Sequence, residues 1–407
     1  MDNCDLIILG AGPGGYRAAE YAAQNGLKVF IIEQDEVGGT CLNRGCIPTK
    51  TFVHSTTLSE ALERQQQVVS QLRSGVEGIL AAPGITLMRG HGVFKNNQTI
   101  AVGDKTITAK NVIVATGSSA KLLPLPDIDD PRLVTSTELL QRQQLPQRLC
   151  IIGAGVVGME FASIFHRFGS EVTVIEYLKE CLPAFDADIA KRLRKLMEKR
   201  GIGFKMKTAV SSLADIDADV ILMATGRRPN VSDDFRVAGF QYDERMGISV
   251  DENFQTTVTG IYAIGDVNGR QMLAHAAEMQ AVRAVNHIMG RTDGIRFDIM
   301  PAAVFTMPEV AGVGVTEEAC KAKGTAYSCK KSFYRANGKA LAMGETEGLL
   351  KLLVDDNDSI IGCHVMGAHA ADIVQEAAVL MHYNATLSQL RDITHIHPTM
   401  GEILHNV

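Results

Sequence analysis

The chain has 407 residues, enough for two or three domains with full cores, and its 46% hydrophobic and 21% charged residues are ordinary for a globular protein. A net charge of −6 argues against a nucleic-acid partner, which would need a basic face. No apolar run reaches about 18 residues, and the start, Met1-Asp2-Asn3-Cys4-Asp5, has no cationic leader, so neither a membrane span nor a signal peptide is expected.

Asp5–Leu9 reads as a short apolar strand ending in Gly10-Ala11-Gly12-Pro13-Gly14-Gly15. A helix follows around Ala18–Ala23, then a strand, Leu27–Ile32, that ends at Glu33, 18 positions after Gly15. This is the pattern of a dinucleotide site. Gly10 makes the tight turn, Gly12 lets backbone approach a pyrophosphate, and Gly15 allows helix and strand to pack closely. The helix N-terminus offers free N–H groups to the phosphate, and Glu33 can accept ribose hydroxyls.

Next comes Gly39-Thr40-Cys41-Leu42-Asn43-Arg44-Gly45-Cys46-Ile47-Pro48-Thr49-Lys50. Residues five apart in a regular helix have Cα atoms roughly 8–9 Å apart, whereas a disulfide needs about 4.4–6.8 Å. If Cys41 and Cys46 bridge, the backbone between them departs from ideal helix, and Gly39, Gly45 and Pro48 are suited to that. The alternative is two unlinked buried thiols. Eight cysteines with one close pair fit a reducing cytoplasm with one special pair. A polar helical stretch, Thr49–Leu80, leads to β-like segments at 85–93 and 99–107, then to the buried strand and turn Val112–Gly117.

The pattern then repeats. Leu149–Ile152 is a strand, Gly153-Ala154-Gly155-Val156-Val157-Gly158 a second glycine turn, Met159–Phe168 a helix, and Glu171–Ile175 a strand ending at Glu176, again 18 positions after the last glycine. Both copies close on Ala-Thr-Gly, at Gly117 and at Gly226. Between Gly201 and Gly226 the second copy is short by about a β-hairpin. Further on, a strand ends at Ile264-Gly265-Asp266, before a helix at Met272–Met289. Asp266 there is either a carboxylate for a polyol hydroxyl or a plain helix-approach residue.

From Phe297 short strands at 304–305, 348–354 and 360–365 and helices at 370–382 and 387–393 predict an α+β domain on an antiparallel sheet. The chain closes with His395, His397, Glu402 and His405. They are open to three readings: a metal site, a histidine oriented by Glu402 for acid–base work, or polar residues of a frayed terminus.

The cysteine stretch, Ala154–Glu160, Gly226–Asn230, Ile264–Val267, Thr306-Met307-Pro308-Glu309-Val310 and His397-Pro398-Thr399 with Glu402 together resemble the flavoprotein disulfide reductases, end to end and most closely their lipoamide-oxidising branch. The resemblance implies an α/β chain with two Rossmann-like FAD/NAD(P)-binding domains of three-layer ββα type and a C-terminal α+β dimerisation domain. The expected bounds are 1–145 and 229–296 for FAD, 146–228 for NAD and 297–407 for the dimer. FAD would lie on Gly10, Gly12, Gly15, Glu33, Thr40, Lys50, Thr116, Gly117, Gly265 and Asp266, and NAD on Gly153, Gly155, Gly158, Glu176 and Gly226. Glu176 favours NAD, because a carboxylate repels the 2′-phosphate of NADP. Cys41 would exchange with the substrate disulfide, Cys46 would face the flavin, His397 with Glu402 would move protons, and Lys50 would pair with Glu160 near the flavin. The implied partners are a second copy of the chain and a lipoyl-bearing acyltransferase or glycine-cleavage carrier protein, with no nucleic acid or membrane. Glutathione and mercuric reductases share the scaffold. The first would show basic residues near Glu176, and the second a C-terminal cysteine pair. A scaffold without turnover is a further alternative.

Overall fold

The structure is a computed structural model that describes residues 2–407. It divides into two units. The first comprises Met1–Lys121, Ser136–Gln143 and Gly226–Ile295, and the second Leu122–Thr135, Gln144–Thr225 and Arg296–Val407.

Among the described residues, the first unit is built on a seven-stranded sheet. Ile85–Arg89, Val29–Glu33, Asp2–Leu9 and Lys105–Val114 run parallel in that order, and Ile261–Ala263 joins Lys105–Val114 on its far side, also parallel. Leu6, Ile7, Ile8 and Leu9 are all buried, as a strand covered on both faces requires. The first half of Lys105–Val114 also starts an antiparallel meander through Thr99–Val102 and Gly92–Phe94. Helix Pro13–Gln24 buries Ala18, Ala19 and Ala22, small residues that let it lie close to its neighbours. The predicted helix over 49–80 is interrupted. One helix ends at Val53, and another, Leu58–Leu80, starts where the Thr57 side chain accepts the Glu60 N–H.

The second unit holds a five-stranded parallel sheet in the order Gly203–Met206, Glu171–Glu176, Arg148–Ile152, Val220–Met223, Leu133–Val134. Residues 122–135 belong to this unit, and Leu133–Val134 gives its sheet an edge. The same linker packs against the stretch 207–219. Leu123, Leu125 and Ile128 pack with Val210, Leu213 and Ile216, and the Arg132 guanidinium donates to the carbonyls of Leu213 (2.9 Å) and Ile216 (2.7 Å).

The predicted α+β region shares this unit. Its antiparallel sheet runs Ala302–Val304, Val310–Gly314, Ile360–Met366, Leu349–Val354, Ser328–Phe333, covered by helix Ala370–His382. Val310–Gly314 and Ser328–Phe333 were not expected as strands. The second is only partly buried and carries two lysines, which mask the apolar alternation.

Candidate active site

The cysteine stretch is a helix broken in the middle. Gly39–Arg44 and Cys46–Val53 are helical, and Gly45 between them, at φ −140° and ψ −109°, is not. The break brings the two sulfurs within hydrogen-bonding reach. Cys41 shares a hydrogen bond with Cys46 that holds its thiol well above the usual cysteine range; burial adds to this, and the nearby Lys50 charge opposes it. Asn43, to which sequence reasoning gave no role, braces the loop. Its amide nitrogen donates to the Val37 and Gly39 carbonyls, both at 2.9 Å, and its oxygen accepts from Arg73 of the long helix at 2.8 and 3.0 Å.

This loop is anchored on the first glycine turn. Gly38 N–H donates to the Ala11 carbonyl at 2.8 Å. Gly39, at φ +60°, lies so close to Gly12 that a Cβ on it would stand 2.7 Å from the Gly12 Cα. Only glycine meets both demands. Thr40 follows in the same helix.

The two glycine turns are built alike. A Cβ on Gly15 would lie 1.9 Å from the Gly10 oxygen, and one on Gly158 would lie 1.9 Å from the Gly153 oxygen. Each terminal acid fastens its own turn. Glu33 accepts the N–H groups of Ala11 (2.6 Å) and Asp35 (2.8 Å), and Glu176 those of Ala154 (2.6 Å) and Leu178 (2.7 Å). A carboxylate has about four lone-pair sites, so each acid can hold its turn and still accept a ribose hydroxyl. The sequence suggests only the second of these jobs.

Asp266 sits in the short 3₁₀ turn Gly265–Asn268, and the long helix begins only at Ala274. Ser118 Oγ donates to its Oδ2 at 2.5 Å, and Arg227 donates to Ser118 Oγ at 2.6 Å and stands 3.7 Å from the carboxylate. Asp266 is thus a held carboxylate rather than a plain helix approach. Beside it Thr116 Oγ1 donates to the Asn230 carbonyl (2.8 Å), and Asn230 N–H to that of Gly117 (2.9 Å), which joins the first Ala-Thr-Gly to the segment after Gly226. Ser118 and Arg227, which hold Asp266, are residues that sequence reasoning did not single out, although each directly follows an Ala-Thr-Gly.

In the second unit, Glu160 is buried in helix Val156–Phe168 and accepts the Phe305 N–H at 2.9 Å. At the C-terminal end, His397 Nδ1 meets Glu402 Oε1 at 2.8 Å, and Glu402 Oε2 accepts the Thr399 N–H at 2.7 Å. The Thr399 N–H and then His397 hold the Glu402 carboxyl below its ordinary range. Both His395 ring nitrogens are occupied, Nε2 by Glu376 (2.9 Å) and Nδ1 by the Ile393 carbonyl (3.2 Å). His397 meets its carboxylate through Nδ1, and its side chain is 78% exposed. Among the described residues no three His, Cys, Asp or Glu side chains converge as metal ligands would, so the terminus holds two separate histidine–carboxylate pairs.

Residues 4–281 match the family model described as pyridine nucleotide-disulphide oxidoreductase, and residues 300–407 match that family's dimerisation domain. The chain belongs to this family. A dihydrolipoyl dehydrogenase from mitochondria of Pisum sativum is 37% identical over 452 aligned positions, covering 99% of this chain and 90% of the relative. A leghemoglobin reductase of Glycine max is also 37% identical and covers 98% and 86%. Among solved structures, the HOCl-induced flavoprotein disulfide reductase RclA from Escherichia coli superposes with a TM-score of 0.93 at 31% identity, covering 99% of each chain. The alignment to the pea relative is longer than this chain, in keeping with its short linkers.

Proposed function

We propose that the chain is an FAD-dependent dihydrolipoyl dehydrogenase, which oxidises protein-bound dihydrolipoamide and reduces NAD. The observation that carries this is the Cys41–Cys46 pair, hydrogen-bonded across a broken helix whose start is fastened to the first glycine turn. Relatives at 34–37% identity over nearly the whole chain bear the name of this activity.

The residues fit both cofactors. A Cβ on Gly155 would meet nothing within 4 Å, and one on Gly12 only the Gly39 Cα at 3.8 Å, so each turn leaves room at its helix N-terminus for a pyrophosphate. Thr40, Lys50, Thr116, Gly117, Gly265 and Asp266 complete the FAD site, and Glu176 and Gly226 the NAD site. Bound FAD supplies a two-electron carrier and NAD the final hydride acceptor.

The chain's own residues handle the sulfur chemistry. In the oxidised enzyme Cys41 and Cys46 form a disulfide. One substrate thiolate attacks Cys41 Sγ, and Cys46 leaves as a thiolate. The second substrate thiolate then displaces Cys41 and closes the lipoyl disulfide, so that two electrons rest on the cysteine pair. Substrate thiols are poor nucleophiles until ionised; as the family resemblance implies, His397 of the partner subunit takes their protons at Nε2 while Glu402 holds its Nδ1. The Lys50 side chain lies near the pair, where its charge favours a thiolate at Cys41. Function on this scheme needs a homodimer formed through residues 300–407, with a lipoyl-bearing acyltransferase or glycine-cleavage carrier protein as substrate. We place the enzyme in the cytoplasm on its cysteine usage; no described helix is long and apolar enough to cross a membrane.

An anaerobic titration with dihydrolipoamide, followed by NAD, tests this. The flavin spectrum is expected to change on the first addition and recover on the second as NADH appears. A flavin spectrum that dihydrolipoamide leaves untouched would reject lipoamide and point to another disulfide substrate, as for RclA, or to a scaffold without turnover.

A further inference from the structure

The strand Leu349–Val354 is buried along its whole length, yet its third residue is a lysine. Lys351 has no exposed side-chain surface. Its Nζ stands 2.7 and 2.8 Å from the two oxygens of Asp186 and 2.5 Å from Glu317 Oε2. Asp186 is equally buried, and its Oδ1 also accepts the N–H groups of Asp188 and Ile189 at the start of helix Ala187–Lys199. Glu317 Oε1 accepts the Tyr327 hydroxyl at 2.9 Å. One cation and two carboxylates thus form a satisfied polar node inside the second unit, and nothing in the sulfur chemistry uses it.

Stability alone is a weak reason for such a node, because well-packed apolar residues in place of a buried ion pair often serve as well or better. An ion cluster does demand one geometry, where apolar surfaces can slide. Asp186 ends the loop 177–186 that leaves Glu176. Within that loop Leu182 donates its N–H to the Ala154 carbonyl at 2.9 Å, and the Ala154 N–H is held by Glu176. Ala154 lies between Gly153 and Gly155 in the second glycine turn. Arg194, in the following helix, grips Glu180 of the same loop at 2.6 and 2.9 Å. A continuous run of contacts therefore leads from Lys351 on the C-terminal sheet through Asp186 and, four residues back along the chain, Leu182 to that turn.

We propose that Lys351, with Asp186 and Glu317, is a positioning residue for the nicotinamide nucleotide: the node seats loop 177–186 on the C-terminal sheet and so fixes the shape of the second glycine turn. The inference rests on the assignment of that turn to NAD.

The deciding variant combines Lys351→Met, Asp186→Asn and Glu317→Gln, which removes all three charges and keeps an acceptor at the helix start. Lys351→Arg, which keeps the charge and changes the geometry, is the second variant if the first fails to fold. Each flavin-loaded protein is compared with the wild type for its melting midpoint, its NAD Kd by calorimetry, and amide exchange over 152–158 and 178–186. The anaerobic half-reaction with dihydrolipoamide is followed as well. Small misplacements in a binding site are costly, so we expect the NAD Kd to rise about tenfold. Exchange should quicken in both segments while the dihydrolipoamide half-reaction stays as in the wild type. A folded variant with a wild-type NAD Kd, or with unchanged exchange at the turn, overturns the proposal. Wild-type protein that binds NAD but does not oxidise dihydrolipoamide would defeat the substrate assignment alone, and the calorimetry and exchange would still decide this inference.

Discussion

Two glycines three residues apart in the second turn should fail in opposite ways. At Gly158 an added Cβ would lie 1.9 Å from the Gly153 carbonyl oxygen and 3.3 Å from Ile151. The obstacle is backbone, so the turn itself must move by more than an ångström. Overpacking typically costs about 1–3 kcal/mol, and this clash belongs at or above the top of that range. At Gly155 the Cβ meets nothing within 4 Å, and φ −75° with ψ −172° is extended backbone open to any residue. The small entropic gain of Gly→Ala and the poorer helix cap nearly cancel, leaving stability within about 1 kcal/mol of the wild type. The methyl group would instead occupy the approach of the pyrophosphate. Losing one charge-assisted N–H bond costs about 1.5–3 kcal/mol, so the NAD Kd should rise roughly 10- to 100-fold. Urea unfolding and NAD calorimetry on both variants test the pair. Gly155→Ala as destabilising as Gly158→Ala, or Gly155→Ala with unchanged NAD affinity, would refute the reasoning.

Glu402→Gln should slow dihydrolipoamide oxidation roughly hundredfold by releasing His397. Because the folded Glu402 carboxyl lies below its usual value of 4.5, its stabilisation is present above that value and lost as pH falls through the folded one. The wild type should therefore melt higher than Glu402→Gln at neutral pH and lose that advantage in acid; a gap that persists in acid would sink the argument. Cys41→Ser and Cys46→Ser should each retain flavin and lose NADH formation, and turnover above background in either would count against the sulfur relay. Gly45→Ala sets a Cβ 3.0 Å from the Thr40 oxygen and 3.4 Å from the Cys41 Cα. It should destabilise by about 1 kcal/mol and slow reduction by dihydrolipoamide, and wild-type values for both would show that the break needs no glycine.

What the chain decides by itself is local. Each glycine turn, the helix it opens and the acid 18 positions on lie within one short stretch, where spacing and glycine content report backbone demands directly. The break in the cysteine helix was legible only on the condition that Cys41 and Cys46 meet, since two sulfurs five residues apart cannot do so on a regular helix. Only the tertiary structure assigned the second jobs of these residues, because they depend on partners far away in sequence. Leu133 and Val134 pair with Ile221 and Leu222, more than 80 positions further along the chain. Asp266 is held by Ser118 and Arg227, each from a separate part of the chain, and Glu160 reaches Phe305. Lys351 looks like an ordinary charge in an apolar strand until the fold sets Asp186 and Glu317 around it. Periodicity shows which side chains a segment buries, and the packing of distant segments decides what those side chains meet there.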